Sequence, residues 1–193
     1  MSTPLNLEVE IKLAILNDLP AIHQILRAAR LQVTKPRIFE TNVVLDTPDL
    51  ALRKNRELIR IRRVGADNIL TYKGPPQPGE HKTREEIETA IAHPAQLELI
   101  FLRLGYRPTF RYEKFRTEFG HPGQSGVVTL DETPIGNFLE IEGDPLWIDH
   151  LAHELGFSKA AYLTQSYATL YSAYCEKLGL PPVNMVFANP SAS

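Results

Sequence analysis

The sequence predicts an α+β fold in which an antiparallel β-sheet closes into a barrel and helices pack on its outside. Three observations predict it. Strand-like segments dominate the 193 residues, several of them alternate charged and apolar residues with a period of two, and other segments show helical periodicity. We expect the helices to cover the apolar faces of the strands. The charged faces would then turn into the barrel interior, which inverts the usual barrel pattern.

The first half of the chain begins with strict alternation. Residues 5–13 alternate apolar and charged side chains, which predicts a strand. A helix of about three turns follows, with Asp18 as its N-cap and Pro20 in its first turn. Next come a strand at 37–46, a short helical turn from Pro48, and a hairpin of strands at 57–64 and 68–74.

The second half begins with a loop and continues mostly as strands. Residues 74–83 are polar and rich in proline and glycine, which predicts a mobile loop that could cover a site. Beyond the loop we expect a strand at 84–91, a helix at 94–104, strands at 107–119, 126–132 and 137–143, and helices at 145–155 and 163–178.

The composition fits one domain with a short tail. Because 43% of the residues are hydrophobic, the chain can bury a sizeable core, and we expect a single domain over residues 1–180. Residues 181–193 lack helical or strand periodicity and are rich in proline, asparagine and serine, which predicts a C-terminal tail without an assigned function.

Charge and apolar content limit the partners and the compartment. The net charge of −2 gives no reason to expect nucleic acid or an anionic membrane as a partner. Cys175 is the only cysteine, which excludes an internal disulfide and fits a reducing compartment. No stretch approaches ~20 apolar residues, and the N-terminal residues lack an apolar secretory run, so we expect a cytoplasmic protein.

The inward faces of the predicted barrel carry both signs of charge. In one strand considered alone, such a charged face would be the solvent-exposed side of a sheet, but here the charged face repeats in strand after strand. The interior would hold the carboxylates Glu8, Glu10, Glu86, Glu88, Glu118, Asp131, Glu140 and Glu142 and the bases Lys12, Arg60, Arg62, Lys73, Arg84, Lys114 and Arg116. Because unpaired buried ions are costly, these groups must neutralise something. A triphosphate-containing small molecule with Mg²⁺ or Mn²⁺ matches both sets.

The order of the motifs points to a known family. Glu-Val-Glu-Ile-Lys at residues 8–12 is followed in order by LIRIRR, TYKGP, REEIE, EKFR, TLDE and FLEIEG. Together they resemble the CYTH superfamily, also called triphosphate tunnel metalloenzymes, whose N-terminal signature is ExExK. The resemblance covers roughly residues 5–175.

The resemblance implies an eight-stranded tunnel in which basic residues bind the triphosphate and glutamate pairs hold one or two Mg²⁺ or Mn²⁺ ions. The family includes class IV adenylate cyclases and thiamine, inorganic and RNA triphosphatases, so it defines the fold more narrowly than the substrate. Many members have an acidic-aromatic pair in the strand after the first helix, where this chain has Asn42-Val43-Val44. The contribution of this stretch to substrate choice stays open.

Residue types and the resemblance together assign expected roles. We expect the triphosphate to be bound by Lys12, Arg60, Arg62, Lys73, Arg84, Lys114 and Arg116. The expected metal ligands are Glu8, Glu10, Glu88, Asp131, Glu140 and Glu142. Glu140 and Glu142 are the candidates for orienting or deprotonating an attacking water, and Lys12 is a third catalytic candidate. For each residue the alternative is structural ion pairing inside the barrel.

Three functions remain open at this stage. Hydrolysis of inorganic, nucleoside or thiamine triphosphate ranks first, because both Glu140 and Glu142 are present, whereas similar class IV cyclases often lack the second glutamate. A class IV adenylate cyclase ranks second, and a non-catalytic polyphosphate-binding module third. A homodimer is compatible with the sequence. Structural roles are expected for Lys159, Ser166, Tyr167, His150 and His153.

Overall fold

The computed structural model describes residues 6–16 and 18–188, and eight antiparallel strands in it close into one barrel. The strands are β1 (Leu7–Ile15), β2 (Gln32–Asp46), β3 (Leu58–Val64), β4 (Asp67–Lys73), β5 (Lys82–Ala90), β6 (Arg107–Gly120), β7 (Val127–Thr133) and β8 (Gly136–Glu142). Around the barrel they run in the order β1-β5-β4-β3-β2-β6-β7-β8. The predicted α+β barrel is confirmed.

Five α-helices accompany the barrel in the described part of the chain. They are α1 (Leu19–Ala28), α2 (Ala51–Lys54), α3 (Pro94–Arg103), α4 (Pro145–Glu154) and α5 (Tyr167–Leu178). The start of α1 follows the prediction: Asp18 accepts a hydrogen bond from the Ala21 amide at 2.8 Å, and a proline lies in the first turn. Among these described helices, none is long and apolar enough to cross a membrane.

The apolar core lies between the barrel and the helices. Ile11 and Leu13, on the outer face of β1, are fully buried and share one cluster with Ile22 of α1 and Leu151 of α4. On the opposite face of the same strand, Lys12 lines the barrel interior and is 3% exposed. Period-two alternation therefore separates an apolar exterior, covered by helices, from a charged interior.

Neighbouring strands share seams of different length. β2 and β6 are paired at twelve registered positions, whereas β1 and β5 are paired only from Leu7 to Glu10. Beyond Glu10, Leu163 bridges the free edge of β1: its amide donates to the Lys12 carbonyl at 2.8 Å, and its carbonyl accepts from the Lys12 amide at 3.0 Å. The β1–β5 seam is thus short and continued by a single bridge.

One strand starts earlier than the sequence predicts. β2 begins at Gln32 instead of residue 37. Register shifts between Val33 and Ile38 accommodate Pro36, which has no N–H to donate to a ladder. The prediction was wrong here because a proline in a polar segment normally argues against a paired strand.

The last helix starts later than predicted, at Tyr167 instead of residue 163. Leu163 is held in its bridge to β1, and Ser166 caps the helix by accepting a hydrogen bond from the Thr169 amide at 3.2 Å. Only a 3₁₀ turn, Lys159–Ala161, precedes it. Tertiary contact with the barrel therefore overrides the helical pattern of this segment.

Both segments with loop-like composition make specific contacts. In the loop predicted at 74–83, β5 already begins at Lys82, and the His81 ring lies 2.8 Å from Asp149 of α4. Residues 181–188, the described part of the predicted tail, lie against β6, where Met185 is fully buried. These contacts are long-range, so periodicity could not reveal them.

Candidate active site

A cavity of about 670 Å³ occupies the barrel interior. The charged side chains that line it are Glu8, Glu10, Lys12, Asp46, Arg53, Arg56, Glu57, Arg60, Arg62, Lys73, Lys82, Arg84, Glu86, Glu88, Lys114, Arg116, Glu140 and Glu142. Two predicted interior residues are placed differently. Asp131 is fully buried behind this lining, and Glu118 pairs with Lys35 at 3.0 Å away from the cavity surface.

Three cations surround two carboxylates in a group that we call the basic centre, formed by Lys12, Lys114, Arg116, Asp131 and Glu140. Lys114 Nζ lies 2.8 Å from Asp131 Oδ2, and Arg116 Nε lies 2.6 Å from Asp131 Oδ1. Lys12 and Arg116 both pair with Glu140. Burial opposes the charge of Glu140, but these cations outweigh it and hold its pKa well below the usual range. Every carboxylate of the basic centre is thus paired with two of its cations.

Two tyrosines hold charged groups of the cavity wall in place. The Tyr167 hydroxyl donates to Asp131 Oδ2 at 2.7 Å, and the Lys12 ammonium lies 4.4 Å from the centre of the Tyr167 ring. The Tyr112 hydroxyl accepts from Arg60 Nη1 at 3.1 Å. Burial and the charge of Asp131 raise the pKa of Tyr167 well above its usual value, so its hydroxyl keeps the proton that it donates.

An arginine pair lies on the neighbouring wall. Arg62 of β3 donates to Glu88 at 3.0 Å, and Arg60 Nη2 lies 3.4 Å from the same carboxylate. Thr71 also donates to Glu88, at 2.7 Å. The Nε atoms of Arg60, Arg62 and Arg84 are buried and have no acceptor within the described part of the chain. Such N–H groups suit the oxygens of a bound phosphate.

Four carboxylates meet where β1, β5 and β8 adjoin, and we call this group the acidic mouth: Glu8, Glu10, Glu86 and Glu142. Lys73 Nζ lies 2.6 Å from a Glu8 oxygen and 3.0 Å from Glu86. Burial opposes the charge of Glu10, but Lys82 beside it outweighs the burial and lowers the pKa to about 2. Glu142 has no ion-pair partner among the described residues.

The acidic mouth holds more negative charge than its lysines neutralise. Partial burial inside the mouth, together with Glu8, Glu10 and Glu86, raises the pKa of Glu142 to about 7. For Glu86, burial and the Glu8 carboxylate outweigh the attraction of Lys73 and raise the pKa to about 7. Both groups therefore exchange protons near neutral pH.

Residues 6–167 match the family model of the CYTH domain. The chain belongs to the CYTH family. A Methanocaldococcus jannaschii protein named "putative adenylate cyclase" is 29% identical over 136 residues, which cover 70% of this chain and 76% of that protein. The family predicted from the motifs is confirmed.

Solved structures share the CYTH fold of this chain. A "putative adenylate cyclase" from Vibrio parahaemolyticus is similar with a TM-score of 0.74 and 21% identity, over 86% of this chain and 97% of its own. A "putative adenylyl cyclase" from Hippeastrum, described as having a dominant triphosphatase activity, is similar with a TM-score of 0.60 and 18% identity, over 87% and 95%. At these identities the likeness establishes the fold alone.

The donor chemistry of the acidic mouth fits the divalent cation that the CYTH resemblance implies. Its four carboxylates offer the hard oxygen ligands that Mg²⁺ and Mn²⁺ prefer, and only two lysines, Lys73 and Lys82, pair with them. Among the described residues, however, no three His, Cys, Asp or Glu side chains are already arranged as a ligand set. The carboxylates would therefore have to move to bind a metal.

The other three expected metal ligands lie among bases. Asp131 and Glu140 belong to the basic centre, and Glu88 is held by the arginine pair. A cation bound to any of these three carboxylates would have to displace an existing ion pair. The structure thus divides the predicted ligand set between the acidic mouth and the walls of the CYTH tunnel.

Sequence reasoning missed several interior residues of the CYTH tunnel, of which three are polar or charged side chains on the inner faces of strands. Lys82 falls in the segment predicted as a loop. Glu40 is 3% exposed and lies 3.6 Å from Lys114, and Asn42 is 1% exposed with no hydrogen-bond partner for its amide in the described structure. Glu40 and Asn42 sit two residues apart in the predicted strand 37–46, so their shared inward face was the available signal.

Proposed function

We propose that this CYTH protein is a metal-dependent triphosphatase that hydrolyses inorganic or organic triphosphate. One observation carries the proposal: a cavity lined by more bases than carboxylates contains a glutamate, Glu142, that has no ion-pair partner among the described residues and a pKa of about 7. A carboxylate with a pKa near the working pH suits general-base catalysis, because it is available as a base and still takes up a proton readily.

The basic residues would bind the polyphosphate. These residues are Lys12, Arg60, Arg62, Lys73, Arg84, Lys114 and Arg116. Phosphoryl oxygens would occupy the unpartnered arginine Nε–H groups and compete with carboxylates such as Glu88 for the remaining N–H groups. Because these donors lie in a cavity of low dielectric, they would stabilise charge on the leaving group strongly once the phosphate has displaced their carboxylate partners.

Hydrolysis then requires a water aligned with the terminal phosphoryl group. In the proposed reaction the water oxygen bonds to the terminal phosphorus, its proton passes to a Glu142 carboxylate oxygen, and the bond from phosphorus to the leaving phosphate oxygen breaks. The bases stabilise the negative charge on that oxygen. A Mg²⁺ or Mn²⁺ ion, for which Glu8 and Glu10 would supply ligands, would offset the repulsion between carboxylates and phosphates.

Adenylate cyclase is the second candidate, favoured by the name of the M. jannaschii relative. In that reaction the ATP 3′-hydroxyl would attack the α-phosphorus, and the same bases would hold the departing pyrophosphate. The Hippeastrum neighbour shows that a cyclase name and a dominant triphosphatase activity can occur together on this fold. A binding module without catalysis is a weaker candidate, because anion binding alone gives no reason for four carboxylates at the mouth.

Product analysis tests the proposal. The protein is incubated with tripolyphosphate, ATP and thiamine triphosphate, each with Mg²⁺, Mn²⁺ or excess EDTA, and orthophosphate, pyrophosphate and cyclic AMP are quantified. Metal-dependent orthophosphate release supports the triphosphatase. Cyclic AMP as the main product from ATP assigns the cyclase, binding without turnover leaves the binding module, and full turnover in EDTA contradicts the metal requirement.

A further inference from the structure

Residues 183–188 form an extended segment, here called the C-terminal strap, along an edge of β6 that β7 does not reach. β7 pairs with β6 only from Phe115 onward. Before that point the Met185 amide donates to the Arg111 carbonyl at 3.0 Å, and the Met185 carbonyl accepts from the Glu113 amide at 2.9 Å. The Asn184 side chain accepts from the Arg111 amide at 2.8 Å. The strap therefore supplies partners for three backbone groups of this edge, the Arg111 N–H and C=O and the Glu113 N–H.

The strap also inserts one side chain into the molecule. Met185 is fully buried and shares a cluster with Tyr112, Phe138 and Tyr167. Its neighbours Val183 and Val186 are 63% and 43% exposed. A flexible thioether suits an irregular gap between aromatic rings.

The cluster that Met185 fills is directly connected to the charged interior. Two of its rings belong to Tyr112 and Tyr167, whose hydroxyls contact Arg60 and Asp131 at 3.1 and 2.7 Å. Displacement of either ring would move a hydroxyl that now holds a charged group of the cavity wall. Close-packed interiors transmit such shifts, because rings and side chains move together.

We propose that the C-terminal strap, through Met185 and Asn184, positions residues of the triphosphate site. Met185 holds the Tyr112 and Tyr167 rings, and these in turn hold Arg60 and the Asp131 end of the basic centre in the geometry that binds the anion. The inference rests on the proposed function insofar as it takes a triphosphate as the guest. The strap would thus contribute to the site, although its composition predicts only a C-terminal tail.

Met185→Ala tests the proposal, with Met185→Leu as the conservative variant and Val183→Ala as the matched control on the exposed side of the strap. Binding of tripolyphosphate is measured by isothermal titration calorimetry, KM and kcat by phosphate release, and folding by circular dichroism. Met185→Ala should raise Kd and KM about tenfold, the factor for loosening one charge-assisted contact, with a smaller fall in kcat. Met185→Leu should restore most of the affinity, and Val183→Ala should behave as the unchanged protein.

Asn184→Ala keeps the proposal testable if Met185→Ala does not fold. The Asn184 substitution removes one strap contact at the surface without opening the core. It should weaken binding in the same direction by about two- to threefold, for loss of a neutral hydrogen bond. A lower melting temperature with unchanged Kd and KM in the folded variants would overturn the proposal. If the unaltered protein binds no triphosphate, the proposed function itself has failed, which is a separate outcome.

Discussion

The basic centre and the acidic mouth lie on adjoining strands of one barrel, yet their charges are balanced differently. In the basic centre each carboxylate touches two cations, and the pKa of Glu140 falls well below its usual range. In the acidic mouth the pKa values of Glu86 and Glu142 rise to about 7. The difference teaches that one region is fixed by its own ion pairs, whereas the other stays incomplete without a proton or a cation.

Removing a cation from the balanced region should give the largest effect. Lys114 is 2% exposed, and Lys114→Ala takes one ammonium from buried Asp131 and Glu40. We expect the free energy of unfolding to fall by about 3 kcal/mol, the scale for breaking a buried ion pair, together with loss of triphosphate binding. Urea denaturation without ligand measures the first effect.

Lys35→Ala is the control for that comparison, since its side chain is 71% exposed while it also pairs with a glutamate, Glu118. Its cost should stay under about 1 kcal/mol. Equal stability of the two variants would mean that ion pairing does not fix the basic centre.

Removing a charge from the incomplete region should affect the reaction more than the fold. In Glu142→Gln the size of the side chain stays and the base is lost, so kcat should fall by roughly 10²-fold while the affinity for triphosphate holds or improves. Phosphate-release kinetics measure both. Tenfold more metal should rescue the variant only if the defect lies in metal binding, and Glu154→Gln, on an exposed position of α4, should change neither constant.

Arg62→Ala should chiefly weaken binding. The guanidinium lies in the cavity and is shared with Glu88, so its loss removes a phosphate contact, and KM should rise about tenfold with a smaller fall in kcat. Arg63→Ala is the matched control. The Arg63 side chain, next to Arg62 in the sequence, is 44% exposed and pairs with Glu98 outside the barrel. If both variants raise KM equally, an inward position on β3 does not determine substrate binding.

The last prediction concerns the dependence of stability on pH in EDTA. The pKa of Glu142 is about 7 in the folded state and 4.5 for an unperturbed carboxyl, so the folded state binds more protons between these values. Its stability therefore decreases as pH rises from about 4.5 to 7. Glu142→Gln lacks this loss, so its melting temperature should exceed that of the unaltered protein at pH 8, and the gap should close towards pH 4.5. A constant gap across this range would show that the carboxyl does not titrate as described.

Period-two alternation was sufficient to predict the barrel and most of the tunnel lining. In β1, Ile11 and Leu13 face the helices while Glu10 and Lys12 face the cavity, because adjacent side chains in a strand must point to opposite sides. That rule needs no knowledge of which strands pair, so it works from the sequence alone.

The division into a balanced and an incomplete region could not be predicted in this way. It depends on register, which places Glu10 opposite both Lys82 and Glu142 in different neighbouring strands. Lys82 was hidden in a segment rich in proline and glycine, and Tyr112 and Tyr167 carry no charge that alternation could reveal. Burial and contacts between neighbouring strands shift these pKa values, and neither is local in sequence.

Because the acidic mouth lies at the short β1–β5 seam, a cation bound there would also join these two strands. Only four residue pairs join these strands, and the carboxylates of Glu8 and Glu10 on one side and Glu86 on the other lie at that junction. A cation held between them would act as a clasp across the shortest seam of the barrel. Amide hydrogen exchange at residues 7–10 should then slow when the cation binds, so that cation binding and closure of the barrel at this seam are coupled.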